Sequence, residues 1–315
     1  MTTLLGYHNG NQVRVLLKRY LRWVIVAAAI AFLLHTLAGH WAEVTAIRLR
    51  PQGVALLALA TGVSLLAHGW AGWVWSWILQ ALQQPVAGVW SMPVYLKTNL
   101  LKYLPGNVWH FYGRVRALKD LGIARGAAIV GVVLEPLLMA NAALMLGLAS
   151  PTPYWPGQIL VLALALGAVH PRWLNPIMNR LGQAKVGADD SEPLPEAALH
   201  HYPLKPLLGE MGFVLLKGLG FALVISAIGP LPRELLLPVV SLFSLAWLAG
   251  LVIPGAPGGL GVFEAIAVTL LQDLLTVGVV LSAVALYRLV GTLAEAMGAG
   301  LAVLSQRLAP PPSAT

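Results

Sequence analysis

The stretch Leu251–Glu264, LVIPGAPGGLGVFE, interrupts an apolar region with two prolines, four glycines and a carboxylate. Lipid cannot hydrogen-bond a broken backbone, so a break at membrane depth persists only where protein buries it or where it lines a wet cavity. The earlier stretch Lys102–Arg114, KYLPGNVWHFYGR, has the same design: an apolar run, then Pro-Gly, then a charged residue. We therefore predict that the two stretches form the walls of one site.

Composition places the chain among integral membrane proteins. Of its 315 residues, 58% are hydrophobic and only 10% are charged, whereas soluble domains carry about 25% charged residues. Several apolar runs reach the roughly 20 residues that a spanning helix needs. The absence of cysteine excludes disulfides and thiolate metal sites. The net charge of +8 is scattered between apolar segments, which predicts cytoplasmic flanks and no nucleic-acid partner.

The predicted fold is all-α: a polytopic helix bundle with two re-entrant broken-helix segments and an inverted repeat. Basic residues before a retained first helix, Trp23–His40, predict a cytoplasmic N-terminus, and the C-terminus is expected on the same side. The predicted parts are a cytoplasmic segment at 1–22, a first membrane half at 23–169 containing the re-entrant segment 92–125, a cytoplasmic linker at 170–206, a second half at 207–305 containing the re-entrant segment 235–272, and a disordered tail at 306–315.

Residues 92–125 have basic flanks but an apolar interior, so a half-helix that enters from the cytoplasm and turns at Pro105-Gly106 fits both facts. An amphipathic helix lying on the surface is the alternative. Residues 235–272 would enter from the opposite side, unless Leu235–Ile253 crosses fully. Broken segments at corresponding positions of two inverted halves are typical of transporters with a site near the midplane.

Several ionisable residues fall within the predicted spans. Glu135 follows the first broken segment, and Arg288 and Glu295 follow the second. Charges at this depth are costly and usually face a cavity or a partner. Glu210 and Lys217 are seven residues apart on one helical face, which suggests an ion pair between them.

The sequences KYLPGNVWHFYGRVRALKDLGI (Lys102–Ile123) and IPGAPGGLGVFEA (Ile253–Ala265) together resemble the lysylphosphatidylglycerol synthase transmembrane family. This is the family of the flippase domain of bacterial multiple-peptide-resistance proteins. The resemblance implies translocation of aminoacylated phosphatidylglycerol in two-domain members, and of glycolipid or polyprenyl-linked lipid in some stand-alone ones. The chain stops at Thr315 without the soluble synthase domain, so we expect a stand-alone member without synthase activity.

The expected function is therefore a flippase for an anionic, aminoacylated or polyprenyl-linked lipid in the cell inner membrane, as a multi-pass protein. A membrane-embedded transferase acting on a lipid-linked substrate is the alternative, and a purely structural scaffold is a third reading. The expected partners are the membrane lipid substrate and a separate lipid-modifying enzyme. No catalytic residue, metal or cofactor is predicted.

Arg114 and Arg288 are predicted to contact a lipid phosphate, because a guanidinium offers a bidentate fork. Glu135, Glu264 and Glu295 would balance these arginines in the empty site or meet a cationic headgroup. Alternatively, these charges form ion pairs that only hold the helices together. The other predicted substrate-binding residues lie in the two turns: Pro105, Gly106, Asn107 and His110 in the first, and Pro254, Gly255, Gly258, Gly259 and Gly261 in the second.

Overall fold

The computed structural model describes residues 51–104, 108–150, 155–185, 198–253, 259 and 261–308, with single positions at 35, 38 and 42; within them, the side chains of 179 and 181–185 are not described. Over these residues the chain is all-helical, without a strand. The predicted first helix Trp23–His40 lies almost wholly outside the described residues. The same holds for the N-terminal segment 1–22 and most of the tail.

The helices follow one another as α1 (Pro51–Ala81), α2 (Gly88–Asn99), a 3-10 turn (Leu100–Tyr103), α3 (Trp109–Asp120), α4 (Arg125–Gly147), α5 (Trp155–Ala168), α6 (Pro171–Lys185), α7 (Leu204–Ile228), a 3-10 turn (Arg233–Leu235), α8 (Leu236–Val252), α9 (Val262–Leu271) and α10 (Val277–Leu308).

Five segments are long and apolar enough to cross a membrane: Pro51–Ala81, Arg125–Gly147, Leu204–Ile228, Arg233–Val252 and Val277–Arg307. Helix α5 and the start of α6 add a sixth if this pair, bent by 52°, counts as one span. These spans are consistent with a multi-pass membrane protein. Arg233–Val252 meets the requirement for a full crossing, whereas α9 has only ten residues.

The outer surface of α10 carries a stripe of large apolar side chains. Leu289, Leu293, Met297, Leu301 and Leu304 are all exposed, and their spacing of three or four residues puts them on one helical face. A contiguous exposed apolar surface of this kind marks contact with a membrane or a partner. The face suits a helix that lies against lipid.

Small residues let the helices around α1 approach closely. At Gly72, an added Cβ would lie 2.8 Å from the Cα of Met92 in α2, and the Ser91 hydroxyl donates to the Gly72 carbonyl at 2.8 Å. On another face, the Trp70 indole N–H donates to the Gly209 carbonyl of α7 at 2.8 Å. Close backbone contact and polar bonds between helices are the usual means of association where lipid is the solvent.

Helices α7 to α10 meet in an aromatic cluster formed by one side chain from each. Phe221, Phe243, Phe263 and Tyr287 pack with ring centroids 5.2–6.4 Å apart. Offset and edge-to-face packing of this kind stabilises a core beyond its buried area. The cluster holds the short helix α9 against the long helix α10.

The backbone breaks where the two turns were predicted. Helix α2 ends in the 3-10 turn and α3 begins at Trp109, while α8 ends at Val252 and α9 begins at Val262. The turn residues 105–107 and 254–258 lie outside the described residues. The geometry of the two re-entrant segments and the inverted repeat therefore remain predictions.

The predicted linker 170–206 contains a helix that the sequence argument did not anticipate. Helix α6 begins at Pro171, where proline is well tolerated in the first turn. Its Asn175 amide donates to the Leu199 carbonyl at 3.0 Å and accepts the Leu199 N–H at 2.9 Å. These bonds tie the end of the segment back to α6.

Candidate functional site

A cavity of about 190 Å³ lies between the helices of the two predicted halves. It has room for on the order of ten water molecules, or for a polar headgroup. Its walls come from α1 to α4, α7 to α10 and the residues beside both breaks. Six charged side chains line it: Lys102, Arg114, Lys217, Arg288, Glu135 and Glu295.

Arg114 and Glu135 form an ion pair on one wall. The Arg114 Nη1 donates to the Glu135 carboxylate, and its Nε donates to the Thr98 hydroxyl at 3.3 Å. The guanidinium carbon lies 3.7 Å from the centroid of the Tyr95 ring, a cation–π contact. Both charged side chains are buried, so the pair is nearly sealed from solvent.

Arg288 connects α10 to the second broken stretch. Its Nε donates to Glu264 Oε1 at 2.5 Å, and its Nη2 donates to the Gly259 carbonyl at 3.1 Å. Glu264 Oε2 accepts the N–H of Gly261 at 2.6 Å, which caps the start of α9. Gly259 and Gly261 have φ values of +72° and +84°, which favour glycine. Glu264 thus joins the glycine turn to α10.

Glu295 is the centre of a third charged group. Its Oε1 accepts Lys102 Nζ at 2.5 Å and lies 3.3 Å from His68 Nε2. Its Oε2 is buried and has no hydrogen-bond partner among the described residues. A buried acceptor without a partner is costly, so this oxygen is available to a ligand that brings a donor.

Lys217 is the cavity cation without a carboxylate partner. It is 7% exposed, and no Asp or Glu of the described residues lies within 4.0 Å of its Nζ. The Nζ lies 5.1 Å from the centroid of the Tyr287 ring, and the Tyr287 hydroxyl donates to the Lys217 carbonyl at 3.3 Å. A buried ammonium without a carboxylate at ion-pair distance has capacity to bind an anion.

His110 lines the cavity beside these cations. Burial, together with the positive charges of Arg114 and Lys102, lowers the pKa of His110 to about 3. The imidazole is therefore neutral at ordinary pH. It can donate or accept a hydrogen bond without adding to the charge of the cavity.

The structure brings six of the predicted binding residues to the cavity wall: His110, Arg114, Glu135, Gly259, Arg288 and Glu295. Gly261 and Glu264 do not line it. Glu264 accepts one hydrogen bond from Arg288 and another from the Gly261 N–H. The remaining six predicted residues, Pro105, Gly106, Asn107, Pro254, Gly255 and Gly258, lie outside the described residues. Substrate binding at all of these positions stays a prediction.

The predicted ion pair between Glu210 and Lys217 does not form. Lys217 points into the cavity, while both Glu210 oxygens are buried without a hydrogen-bond partner among the described residues. Seven residues along a helix separate two side chains by about 10 Å, so sharing a face does not bring them into contact. Arg288 and Glu295 have the same spacing, and each is paired with a residue of another element instead.

Sequence reasoning missed several residues of the wall, chiefly His68, Tyr95, Lys217 and Tyr287. Lys102 begins a stretch that is predicted to form a wall, but it is not among the predicted binding residues, and Lys217 is predicted to pair with Glu210. The signal that could have found His68 and Lys217 is their place within apolar spans, because ionisable residues at that depth usually face a cavity.

No protein-family model matches the chain, and no curated protein does either. The resemblance to the lysylphosphatidylglycerol synthase transmembrane family accordingly rests on the two quoted motifs alone. The class of protein that the fold defines is an all-helical one with a polar cavity among helices long enough to span a membrane.

Proposed function

We propose that this chain is a lipid flippase, a transporter that moves an anionic lipid between the leaflets of a bilayer. The observation that carries the proposal is a buried cation on the cavity wall that no carboxylate pairs with. Lys102, Arg114 and Arg288 each pair with a glutamate, whereas Lys217 has no carboxylate within 4.0 Å among the described residues. An ammonium removed from water is costly unless an anion approaches it, so a phosphate headgroup would fit this wall.

The arrangement of the cations favours a phosphate over a simple carboxylate. Lys102, Arg114, Lys217 and Arg288 each lie over an aromatic ring, with distances to the ring centroid of 3.7–5.3 Å. A ring face holds a cation without using its N–H donors. At Lys217, where no carboxylate of the described residues lies within 4.0 Å, these donors would suit a group with several acceptor oxygens.

The surroundings of the cavity favour an amphiphile over a soluble anion. Tyr103 lines the cavity and is 40% exposed, and beside it Leu104, Val108, Trp109 and Tyr112 are exposed as well. A headgroup could therefore enter the polar cavity while its acyl chains stay against apolar side chains. The unpartnered Glu295 Oε2 would accept a hydrogen bond from a headgroup hydroxyl or ammonium.

The finer architecture belongs to the same proposal. Residues 92–125 and 235–272 would be re-entrant segments of two inverted halves, with both termini in the cytoplasm and the protein in the cell inner membrane. The resemblance to the lysylphosphatidylglycerol synthase transmembrane family supports an aminoacylated or polyprenyl-linked (glyco)lipid as substrate, with a separate enzyme making it. Midplane sites between inverted repeats are the usual design of such transporters.

The test is lipid exchange by the purified protein in phosphatidylcholine vesicles with a trace of fluorescent phosphatidylglycerol. Dithionite bleaching of the outer leaflet reports the rate at which inner-leaflet label appears outside. We expect Lys217→Gln to slow exchange by about 10- to 100-fold, because a charge-assisted hydrogen bond contributes roughly 1.5–3 kcal/mol. Lys205→Gln is the matched control, since Lys205 is exposed and lies over Trp77, away from the cavity.

Equal rates for the two variants and wild type would remove the assignment of the site. A wild-type rate equal to that of protein-free vesicles would remove the proposed function. Covalent modification of the lipid by the purified protein would instead favour the alternative, a membrane-embedded transferase.

A further inference from the structure

The two carboxylate oxygens of Glu295 have different surroundings. Oε1 accepts the Lys102 Nζ at 2.5 Å and lies 3.3 Å from the His68 Nε2, whereas Oε2 is buried and has no hydrogen-bond partner among the described residues. An acceptor that loses its hydration without gaining a donor is costly. The Glu295 carboxylate, which lines the cavity, therefore has capacity for one more donor.

Helix α10 places this carboxylate one turn from the Lys217 ammonium. A Cβ added to Gly291 would lie 4.0 Å from the Lys217 Nζ, so the ammonium lies beside Gly291. Glu295 follows Gly291 by four residues in α10, and residues at this spacing share a helical face about 6 Å apart. Lys217 and Glu295 both line the cavity without an ion pair between them.

Helix α7 gives the same placement from the other side. Phe213 precedes Lys217 by four residues in α7, and its ring packs against His68 with 6.2 Å between the centroids. His68 in turn lies 3.3 Å from Glu295. Gly291 has no side chain to fill the space between the ammonium and the carboxylate. The two groups thus form neighbouring parts of one binding surface.

The charges of the wall decide which kind of donor suits Glu295. Lys102, Arg114 and Arg288 are each paired with a glutamate, so Lys217 is the remaining lysine or arginine of the wall. A monoanionic headgroup balances its charge, and a neutral hydroxyl donating to Glu295 preserves that balance. A headgroup ammonium would add a positive charge and leave the buried wall unbalanced, which is costly.

We propose that Glu295 is the specificity-determining residue of the cavity, and that it selects a phosphodiester headgroup with a free hydroxyl, such as a glycerol or sugar phosphate. The inference rests on the proposed function and narrows its substrate. The phosphate binds the Lys217 ammonium, and a hydroxyl about one helical turn away donates to Glu295. Because Oε2 is buried in the empty site, the carboxylate turns toward the headgroup about its Cγ–Cδ bond, a torsion with a broad minimum.

The experiment compares two fluorescent lipids that differ only in the hydroxyls of the headgroup. Phosphatidylpropanol has the charge and the labelled acyl chains of phosphatidylglycerol but lacks both glycerol hydroxyls. Exchange of each lipid by wild type is measured by dithionite bleaching, and the rate in protein-free vesicles is subtracted. A hydrogen bond to a charged group changes a rate by about 10- to 100-fold, so phosphatidylglycerol should exchange faster by this factor.

Two variants separate the acceptor from the ion pair. Glu295→Met removes both carboxylate oxygens, so the two lipids should exchange at equal rates. Lys102→Gln is the matched control, because it breaks the same ion pair but keeps the carboxylate. It should retain the wild-type ratio of the two rates while both rates fall. Loss of the preference in Lys102→Gln, or its survival in Glu295→Met, would overturn the inference.

Phosphatidylethanolamine with the same label distinguishes a hydroxyl from an ammonium donor. This lipid offers a donor and a phosphate but has no net charge. It should exchange at least about tenfold more slowly than phosphatidylglycerol, because its ammonium enters a cavity that already has one unbalanced cation. Exchange as fast as that of phosphatidylglycerol would overturn the selection of a hydroxyl.

The outcomes separate this inference from the proposed function. Equal wild-type rates for phosphatidylglycerol and phosphatidylpropanol, both above the protein-free rate, would overturn the inference and leave the proposed function intact. Glu295 would then serve only to hold Lys102. Rates equal to those of protein-free vesicles for all three lipids would remove the proposed function, and the inference with it.

Discussion

Replacing Arg114 by methionine should destabilise the protein more than any other single loss of charge at the cavity. The change leaves the Glu135 carboxylate buried without its cation. Breaking one side of a buried ion pair costs about 3–5 kcal/mol. The cation–π contact with Tyr95, at 3.7 Å, contributes up to about 2 kcal/mol more. We expect a loss of at least about 3 kcal/mol in the free energy of unfolding.

A double-mutant cycle separates the ion pair from simple packing. Arg114→Met, Glu135→Gln and the double variant would be compared by steric-trap unfolding in bicelles. The double variant has no buried unpaired charge, so it should be more stable than the sum of the single losses predicts, by about 2 kcal/mol or more. Arg116→Met serves as the control, because Arg116 is exposed on the same helix and should change stability by less than about 0.5 kcal/mol.

Additive losses in this cycle, within about 0.5 kcal/mol, would refute the reasoning. They would mean that Glu135 does not depend on Arg114 for its charge balance. The description of the wall as cations balanced by carboxylates in the empty site would then have to be abandoned.

Two further predictions concern the second broken stretch and the cavity histidine. Arg288→Ala and Glu264→Ala should each abolish lipid exchange in the vesicle assay while leaving expression intact, because Glu264 holds Arg288 to the glycine turn; wild-type rates in both would contradict this. His110 is neutral in the folded protein, since its pKa is lowered to about 3. The unfolded chain binds a proton below about pH 6.5, so the stability that His110 contributes is present above that pH and is lost as pH falls toward 3. The free energy of unfolding of His110→Gln should decline less than that of wild type between pH 6.5 and 4, by up to about 1.4 kcal/mol per pH unit. Parallel declines would count against a buried neutral His110.

The helices could be predicted from the sequence because each is an apolar run of membrane-spanning length. Residues 127–148 and 207–228 are predominantly apolar runs of spanning length, and they correspond to the helices Arg125–Gly147 and Leu204–Ile228. Hydropathy and length alone determine such segments. Helix α6 was not predicted, because prolines at 171 and 176 usually interrupt a helix. Pro171, however, lies in the first turn, where proline is tolerated.

Part of the site could also be predicted from hydropathy, because charged residues within apolar runs must face a polar group or a cavity. Glu135, Arg288 and Glu295 were predicted in this way, Arg114 was predicted from the first broken stretch, and all four line the cavity. The pairing between them could not be found, because it depends on which helices are neighbours. The spacing of residues shows which side chains share a face of one helix, but it does not show which other helix packs against that face. The wrong pairing of Glu210 arose from this gap.

The central claim is that the cavity holds the headgroup of an anionic lipid. Mass spectrometry of the lipids retained by the protein purified in mild detergent tests it most directly, with Lys217→Gln and Lys205→Gln treated in parallel. We predict that wild type and Lys205→Gln retain one class of anionic phospholipid or polyprenyl-linked phosphate, and that Lys217→Gln loses it. Retention of zwitterionic lipid only, or an identical lipid profile in all three proteins, would contradict the claim.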